Sequence, residues 1–93
     1  MRSVVQRVKC ASVSVNCHVV ASIGRGLLVL VGVFSYDTDA NVDWMARRIA
    51  TLRVFPDEQG RMNLGPVEVD AEVLLISQFT LCANMKKGNR PSF

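Results

Sequence analysis

The sequence has few of the residues from which metal and membrane signatures are built. It holds one histidine (His18) and three cysteines with no Cys-x-x-Cys pair, so no recognisable Cys/His zinc site is predicted. Its longest apolar run, Gly26–Phe34, is far shorter than the roughly 20 residues that a membrane span needs. No basic-then-apolar leader opens the chain, and an odd number of cysteines is typical of reduced thiols. We therefore expect a cytoplasmic protein without membrane attachment.

Nucleophile and phosphate-loop motifs are absent as well. No Gly-x-Ser-x-Gly turn surrounds any serine, and His18 lies in an apolar strand pattern where a structural or solvent-facing role is the simpler interpretation. The Gly24–Gly26 stretch lacks phosphate-loop spacing and predicts a tight connection in which the glycines permit positive φ. If this chain hydrolyses a substrate, we expect the base to come from outside its own imidazole.

The composition that remains predicts one folded domain. Of 93 residues, 49% are hydrophobic and 20% charged, which excludes a disordered chain and limits the molecule to a single domain over 1–93. The formal charge of +3 permits a polyanionic partner without requiring one.

Hydrophobic periodicity predicts strands before and after one helix. Residues 2–15 alternate like a strand, 17–23 follow as a second strand after a turn at Asn16, and 27–34 is apolar enough for burial on both faces. Residues 55–63 form a turn cluster, and 73–81 is the last strand.

A helix is predicted between the third strand and the turn cluster. Thr38 or Asp39 can cap its start, and an apolar stripe follows at helical spacing. The stripe comprises Val42, Met45, Ile49 and Leu52. Consecutive strands ahead of one amphipathic helix indicate an α+β fold with a mixed or antiparallel sheet, partly closed like a barrel.

Polar side chains interrupt the last strand. Val73–Ile76 predicts burial on both faces, yet Ser77, Gln78 and Thr80 follow in the same run. An unpaired polar group away from water costs about 1–3 kcal/mol, so these residues need a structural or functional reason. The loop after them carries Lys86, Lys87 and Arg90 around Gly88 and Asn89; it is either a solvated surface loop or a phosphate contact for a nucleic-acid end.

Five segments in unbroken order resemble the D-aminoacyl-tRNA deacylase (D-tyrosyl-tRNA deacylase) family. They are "QRVKCASVSV" at 6–15, "IGRGLLVLVGV" at 23–33, "RVFPDEQGRMN" at 53–63, "SQFTL" at 77–81 and "KGNRPSF" at 87–93. "SQFTL" matches the first of the family's two signature motifs.

The resemblance implies hydrolysis of the ester that joins a D-amino acid, or wrongly loaded glycine, to the 3′ end of tRNA. It implies a homodimer with active sites at the subunit interface and no cofactor. By position, Ser77, Gln78, Phe79 and Thr80 would form the catalytic strand, and backbone N–H groups around Phe79 and Thr80 would hold the oxyanion. The family favours activation of water with help from the substrate's 2′-hydroxyl over a Thr80 nucleophile.

The resemblance also assigns residues to binding. Arg7, in "QRV", would brace the pocket, and Lys87, Gly88 and Arg90, with Lys86 beside them, would contact the tRNA end.

The chain departs from the family at the second motif. In the family an Asn-x-Gly-Pro-Val-Thr motif near the C-terminus enters the partner's pocket and excludes L-amino acids. Here "NLGPVE" at 63–68 precedes "SQFTL" and has Glu68 in place of Thr, so its similarity is read as coincidence and a simple turn is predicted. We expect a fragment that lacks the C-terminal part; a truncated gene product and a divergent short form are the alternatives. If these 93 residues act alone, we expect weak or absent deacylation and loss of discrimination between L- and D-amino acids.

Two other functions stay open at this point. A short form could hold tRNA or RNA ends through Lys86, Lys87 and Arg90 without catalysis, in which case binding is sensitive to salt and no ester is lost. Alternatively, the chain could be a structural subunit that pairs through exposed strand edges, with neither RNA affinity nor hydrolysis.

Overall fold

The computed structural model describes residues 1–83 and Gly88. The predicted tRNA-end contacts Lys86, Lys87 and Arg90 therefore lie outside the described residues. The elements, in chain order, are β1 (Arg2–Val8), β2 (Ala11–Val15), β3 (His18–Ile23), β4 (Gly26–Gly32), α1 (Asp39–Ala50), β5 (Phe55–Pro56), β6 (Met62–Leu64), β7 (Glu72–Ser77) and a 3₁₀ helix over Phe79–Cys82.

The central sheet has the strand order β1-β4-β7, with β4 in the middle. β4 runs antiparallel to β1 and parallel to β7, so the sheet is mixed, as the predicted α+β class requires. Leu27 and Val29 of β4 are fully buried and pack with Phe55 as the core. Burial on both faces of β4 holds only in part, because Leu28 and Leu30 are half-buried.

The edge strand β7 is less buried than its sequence predicts. Leu74 is 7% exposed, whereas Val73 is 46% and Leu75 is 65% exposed. The prediction that Val73–Ile76 is buried on both faces is therefore wrong: successive side chains point to opposite faces of the sheet, and the face that carries Val73 and Leu75 is largely uncovered along β7.

Residues 2–15 form two strands and not one. β1 joins the central sheet, whereas β2 pairs with β3 in a separate hairpin, so the strand conformation is interrupted between Val8 and Ala11. The turn predicted at Asn16 is confirmed: Asn16 and Cys17 have φ of 51° and 66°, which suits a two-residue hairpin turn. The β2–β3 and β5–β6 ladders are separate from the central sheet, and within residues 1–83 the sheet does not close into a barrel.

The helix α1 begins where the sequence predicts. Thr38 is the N-cap residue, and its backbone N–H donates to Asn41 Oδ1 at 2.8 Å. Met45 and Ile49 of the apolar stripe are half-buried, and Ile49 packs against the core. Val42 of the same stripe is 47% exposed, so the stripe is buried over its second half only.

The connection before β4 needs glycine for a reason other than the predicted positive φ. Neither Gly24 nor Gly26 has a positive φ. Instead, a Cβ on Gly26 would lie 1.9 Å from the carbonyl oxygen of Glu72, so only glycine lets β7 approach β4 this closely. Gly24 has no atom within 4 Å of such a Cβ and carries no comparable constraint.

The segment between α1 and β7 is built from turns, as predicted, with a short hairpin inside it. Asp57 Oδ1 accepts the backbone N–H groups of Gln59 at 2.9 Å and Arg61 at 3.0 Å. The backbone hydrogen bond from Arg61 holds the pKa of Asp57 below its usual value. Gly65 and Pro66 are buried at the start of a turn, which confirms the simple turn predicted there.

A buried ion pair joins the start of β1 to the loop before α1. The Met1 ammonium lies 2.6 Å from Asp37 Oδ2, and Asp37 Oδ2 also accepts the Phe34 N–H at 2.8 Å. The hydrogen bond from this ammonium holds the pKa of Asp37 below its usual value.

Candidate active site at the end of the central sheet

The strand β7 stops at Ser77, and the predicted strand through Leu81 is wrong. The Gln78 N–H still donates to the Val31 carbonyl at 2.7 Å, which extends the pairing with β4 by one step. β4 itself ends at Gly32, so no strand is there to pair with residues beyond Gln78. The chain turns instead into the 3₁₀ helix, with the Leu81 N–H donating to the Gln78 carbonyl at 3.2 Å.

This geometry resolves the apparent conflict of polar side chains in a buried strand. Ser77 and Thr80 are exposed and Gln78 is half-buried, because all three lie at or beyond the end of the sheet. Phe79 is 67% exposed beside them. The four residues predicted to be catalytic are thus consecutive on a strand-to-helix corner, and no desolvation cost arises.

Within the corner, a side-chain hydrogen bond orients the Thr80 hydroxyl. Gln78 Nε2 donates to Thr80 Oγ1 in a short contact. The Thr80 oxygen is therefore an acceptor of a neutral amide proton, and no imidazole or carboxylate in residues 1–83 hydrogen-bonds to it. His18, the sole imidazole, is exposed at the start of β3. A nucleophilic threonine needs an adjacent base, and this arrangement does not provide one.

Two residues that the sequence reasoning missed hold the 3₁₀ helix in place. Gly32 is buried beneath it: a Cβ there would lie 2.9 Å from Cys82 Sγ, 3.0 Å from the Gln78 carbonyl oxygen and 3.0 Å from Leu81 Cβ. Arg2 donates from Nη1 to the Leu81 carbonyl at 2.8 Å. A glycine inside an apolar strand signals close backbone approach, so Gly32 was detectable. Arg2 carries no such local signal.

The structure places Arg7 away from this corner. Arg7 is opposite Leu27 on β4 and Ser77 is opposite Val31, so the two lie about 13 Å apart along the strand direction. Arg7 Nη1 donates to the Val54 carbonyl at 2.6 Å. Within one chain, therefore, Arg7 does not join Ser77–Thr80. Gly88 is exposed with φ of 125°, but its neighbours lie outside the described residues.

The described part of the chain holds neither a metal centre nor a membrane-spanning helix. No group of three or more His, Cys, Asp or Glu side chains there could hold a metal ion. None of the helices described is long and apolar enough to cross a membrane.

These features define an α+β domain whose mixed sheet ends in an exposed polar corner. Residues 4–93 match the family model described as D-Tyr-tRNA(Tyr) deacylase. The chain belongs to this family, which confirms the resemblance seen in the sequence.

Curated relatives agree with the match. The chain is 54% identical over 93 residues to a D-aminoacyl-tRNA deacylase of Opitutus terrae, and 55% identical to one of Desulfitobacterium hafniense. It is 50% identical to the protein of the same name from Parabacteroides distasonis. In each case all of this chain is covered, and it spans 62% of the relative's length.

A solved structure shares the fold. The chain superposes on the structure named c-Myc DNA Unwinding Element Binding Protein with a TM-score of 0.94 and 44% sequence identity. The match covers 100% of this chain and 62% of the other. The predicted α+β fold is thereby confirmed, with the sheet open over the described residues.

Proposed function

We propose that the protein hydrolyses the ester of D-aminoacyl-tRNA, releasing free tRNA and a D-amino acid in the cytoplasm, and that glycine wrongly loaded on tRNA is also a substrate. The observation that carries the proposal is the match of residues 4–93 to the deacylase family. The sequence identity of 54% to a relative named D-aminoacyl-tRNA deacylase supports it. The proposed site is Ser77, Gln78, Phe79 and Thr80.

The proposed mechanism places the reacting ester over the strand-to-helix corner. Backbone N–H groups around Phe79 and Thr80 hold the developing oxyanion, as the family resemblance implies, because fixed N–H donors stabilise charge that develops in the transition state. The 2′-hydroxyl of the terminal adenosine helps to activate water. The hydrogen bond from Gln78 to Thr80 supports this assignment, since it uses the Thr80 oxygen as an acceptor and leaves no base beside it.

Stereospecific hydrolysis tests the function directly. D-Tyr-tRNA and L-Tyr-tRNA are each incubated with the full-length protein that contains this chain, and the release of tyrosine is followed over time. We expect release from the D-ester alone. Equal release from both esters, or from neither, would contradict the proposal.

The role of Thr80 is tested by removing its hydroxyl. If substrate and backbone supply the chemistry, Thr80→Ala keeps turnover within about tenfold, whereas loss of a covalent nucleophile costs on the order of 10⁴-fold or more. Ser12→Ala removes an exposed hydroxyl from β2 and serves as the control. A tRNA ending in 2′-deoxyadenosine, with the D-amino acid on its 3′-oxygen, should give the complementary result: near-complete loss with the unmodified protein.

We further propose a homodimer with the site at its interface. The exposed apolar side chains Leu75 and Phe79, at 65% and 67%, lie at and beside the corner and support a partner surface there. Sedimentation velocity at micromolar concentration should give twice the chain mass; a monomer at all concentrations is the contrary result.

A second candidate function is nucleic-acid binding without hydrolysis. It is favoured by one observation, the name of the structural neighbour, which describes a DNA-binding protein. In that case Lys86, Lys87 and Arg90 would supply phosphate contacts. Salt-sensitive binding of tRNA with a fully stable D-ester would select this function over hydrolysis.

A further inference from the structure

A concave surface lies at the end of the central sheet opposite the Ser77–Thr80 corner. It has a volume of about 560 Å³ and is lined by Arg7, Val8, Lys9, Arg25 and Pro56. Among the described residues, three of the five that line it are cationic and none carries a carboxylate. We call it the basic concavity.

Contacts with the core fix two of the three cations. Arg7 donates one N–H to the Val54 carbonyl at 2.6 Å, which leaves other guanidinium N–H groups for a ligand. The Arg25 guanidinium carbon lies 5.2 Å from the ring centroid of Phe55, a fully buried residue. Because Phe55 cannot move without opening the core, it holds Arg25 over the concavity. Lys9 follows directly after β1 and is exposed.

The part of the chain that the structure describes does not neutralise these charges. In the described residues the ion pair within 4.0 Å joins Met1 to Asp37, and none of Arg7, Lys9 or Arg25 takes part in one. Isolated surface cations are ordinary, since water solvates them. Three like charges around one concavity, two of them anchored, repel one another, and an anion bound among them removes that repulsion.

The position of the concavity favours a backbone phosphate as this anion. The paired residues place Arg7 about 13 Å from Ser77 along the strand direction. A polynucleotide whose 3′ end lies at the corner covers this distance within a few nucleotides, each of which carries one phosphate. Guanidinium groups bind phosphate oxygens through two parallel N–H donors, which suits the two anchored arginines.

We propose that the basic concavity is a subsite for the phosphodiester backbone of the tRNA, a few nucleotides from the esterified 3′ end. The inference rests on the proposed deacylase function for the identity of the nucleic acid. It assigns Lys9 and Arg25 a binding role that the family resemblance did not suggest. It also assigns Arg7 to a binding site at the end of the sheet away from Ser77–Thr80.

Binding of uncharged tRNA tests the subsite without any hydrolysis. Lys9→Gln and Arg25→Gln each remove one cation; Arg7 is left intact because its bond to Val54 would confound the result. The matched control is Arg47→Gln on α1, which changes net charge equally at an exposed residue outside the concavity. The dissociation constant is measured by fluorescence anisotropy over a series of KCl concentrations.

We expect each concavity variant to weaken binding by about three- to tenfold and to reduce the slope of log K against log[KCl] by about 0.7–0.9. Arg47→Gln should change neither. An equal change in all three variants would mean a general charge effect and would overturn the subsite, as would no change in any of them. If the unmodified protein binds inorganic phosphate and Arg25→Gln abolishes that binding, while tRNA binding is unaltered in both variants, the concavity belongs to free phosphate and the proposal is overturned.

Kinetics with two substrates separate this proposal from the deacylase function. With D-Tyr-tRNA, Lys9→Gln and Arg25→Gln should lower kcat/KM by about three- to tenfold through KM. With 3′-O-D-tyrosyl-adenosine, which has no phosphate, they should match the unmodified protein. Equal losses on both substrates would indicate distortion of the fold and contradict the subsite. If the unmodified protein hydrolyses neither substrate, the deacylase proposal fails, whereas the binding experiment still decides the subsite.

Discussion

Replacing Gly32 by alanine should displace the corner at Ser77–Thr80, the proposed catalytic site, while leaving most of the fold intact. The new Cβ would meet Cys82 Sγ at 2.9 Å and both the Gln78 carbonyl oxygen and Leu81 Cβ at 3.0 Å. Favourable contact between such atoms needs about 3.5–4.0 Å, so the 3₁₀ helix must move by about 0.5–1 Å. The cysteine side chain can rotate, but the other two atoms move only with the backbone.

Two different losses follow from this displacement. Overpacking costs about 1–3 kcal/mol of unfolding free energy, which urea denaturation measures. A shift of about 1 Å at reacting groups can cost on the order of 10²-fold in rate, so we expect kcat/KM for D-Tyr-tRNA to fall about 10- to 100-fold. Adding Cys82→Ala removes one of the three contacts and should recover only part of both losses. Activity within twofold of the unmodified protein, at unchanged stability, would refute the positioning role of Gly32.

Three further predictions test the fold around the site. Gly26→Ala places a Cβ against the Glu72 backbone and should lower the free energy of unfolding by more than about 3 kcal/mol, measured by urea denaturation. Gly24→Ala is the control, since a Cβ there meets open space, and it should change the free energy of unfolding by no more than about 0.5 kcal/mol. Equal effects of the two variants would contradict the explanation by close approach of β7 to β4. Phe55→Ala empties the core and should cost about 3–5 kcal/mol, and a loss below about 1 kcal/mol would contradict its burial. The pKa of Asp37 is lowered in the folded protein, so its ion pair with the Met1 ammonium stabilises the fold at neutral pH and loses that effect as the pH falls through the folded pKa. Thermal melts should therefore show that Asp37→Asn is less stable than the unmodified protein near pH 7 and that this difference shrinks in acid. A difference that stays constant with pH would argue against the ion pair.

The elements that the sequence predicted well are those fixed by local chemistry. Thr38 marks the start of α1, and Asn16 marks a hairpin turn, because each conformation is set within a few residues. The apolar run of β4 was recognisable because a central strand needs hydrophobic residues for both faces. The family's first motif located the corner at Ser77–Thr80, although periodicity alone extended the strand too far.

The features that could not be predicted depend on contacts between distant segments. The alternation in residues 2–15 continues through the break between β1 and β2, so only the choice of pairing partner reveals two strands. The end of β7 is set by the end of β4 at Gly32, far away in the chain. The basic concavity likewise draws Lys9, Arg25 and Pro56 from three separate segments, and no spacing in the sequence brings them together.

The parallel pairing of β4 with β7 has a consequence for the order of folding. The β1–β4 ladder joins Val5 to Val29, whereas the corner depends on a bond between Val31 and Gln78, which closes a longer loop and follows a later part of the chain. We expect pulsed hydrogen exchange to protect the amides of the β1–β4 ladder before the amide of Gln78, and simultaneous protection would contradict this order. During synthesis, the first ladder can therefore form before the corner exists.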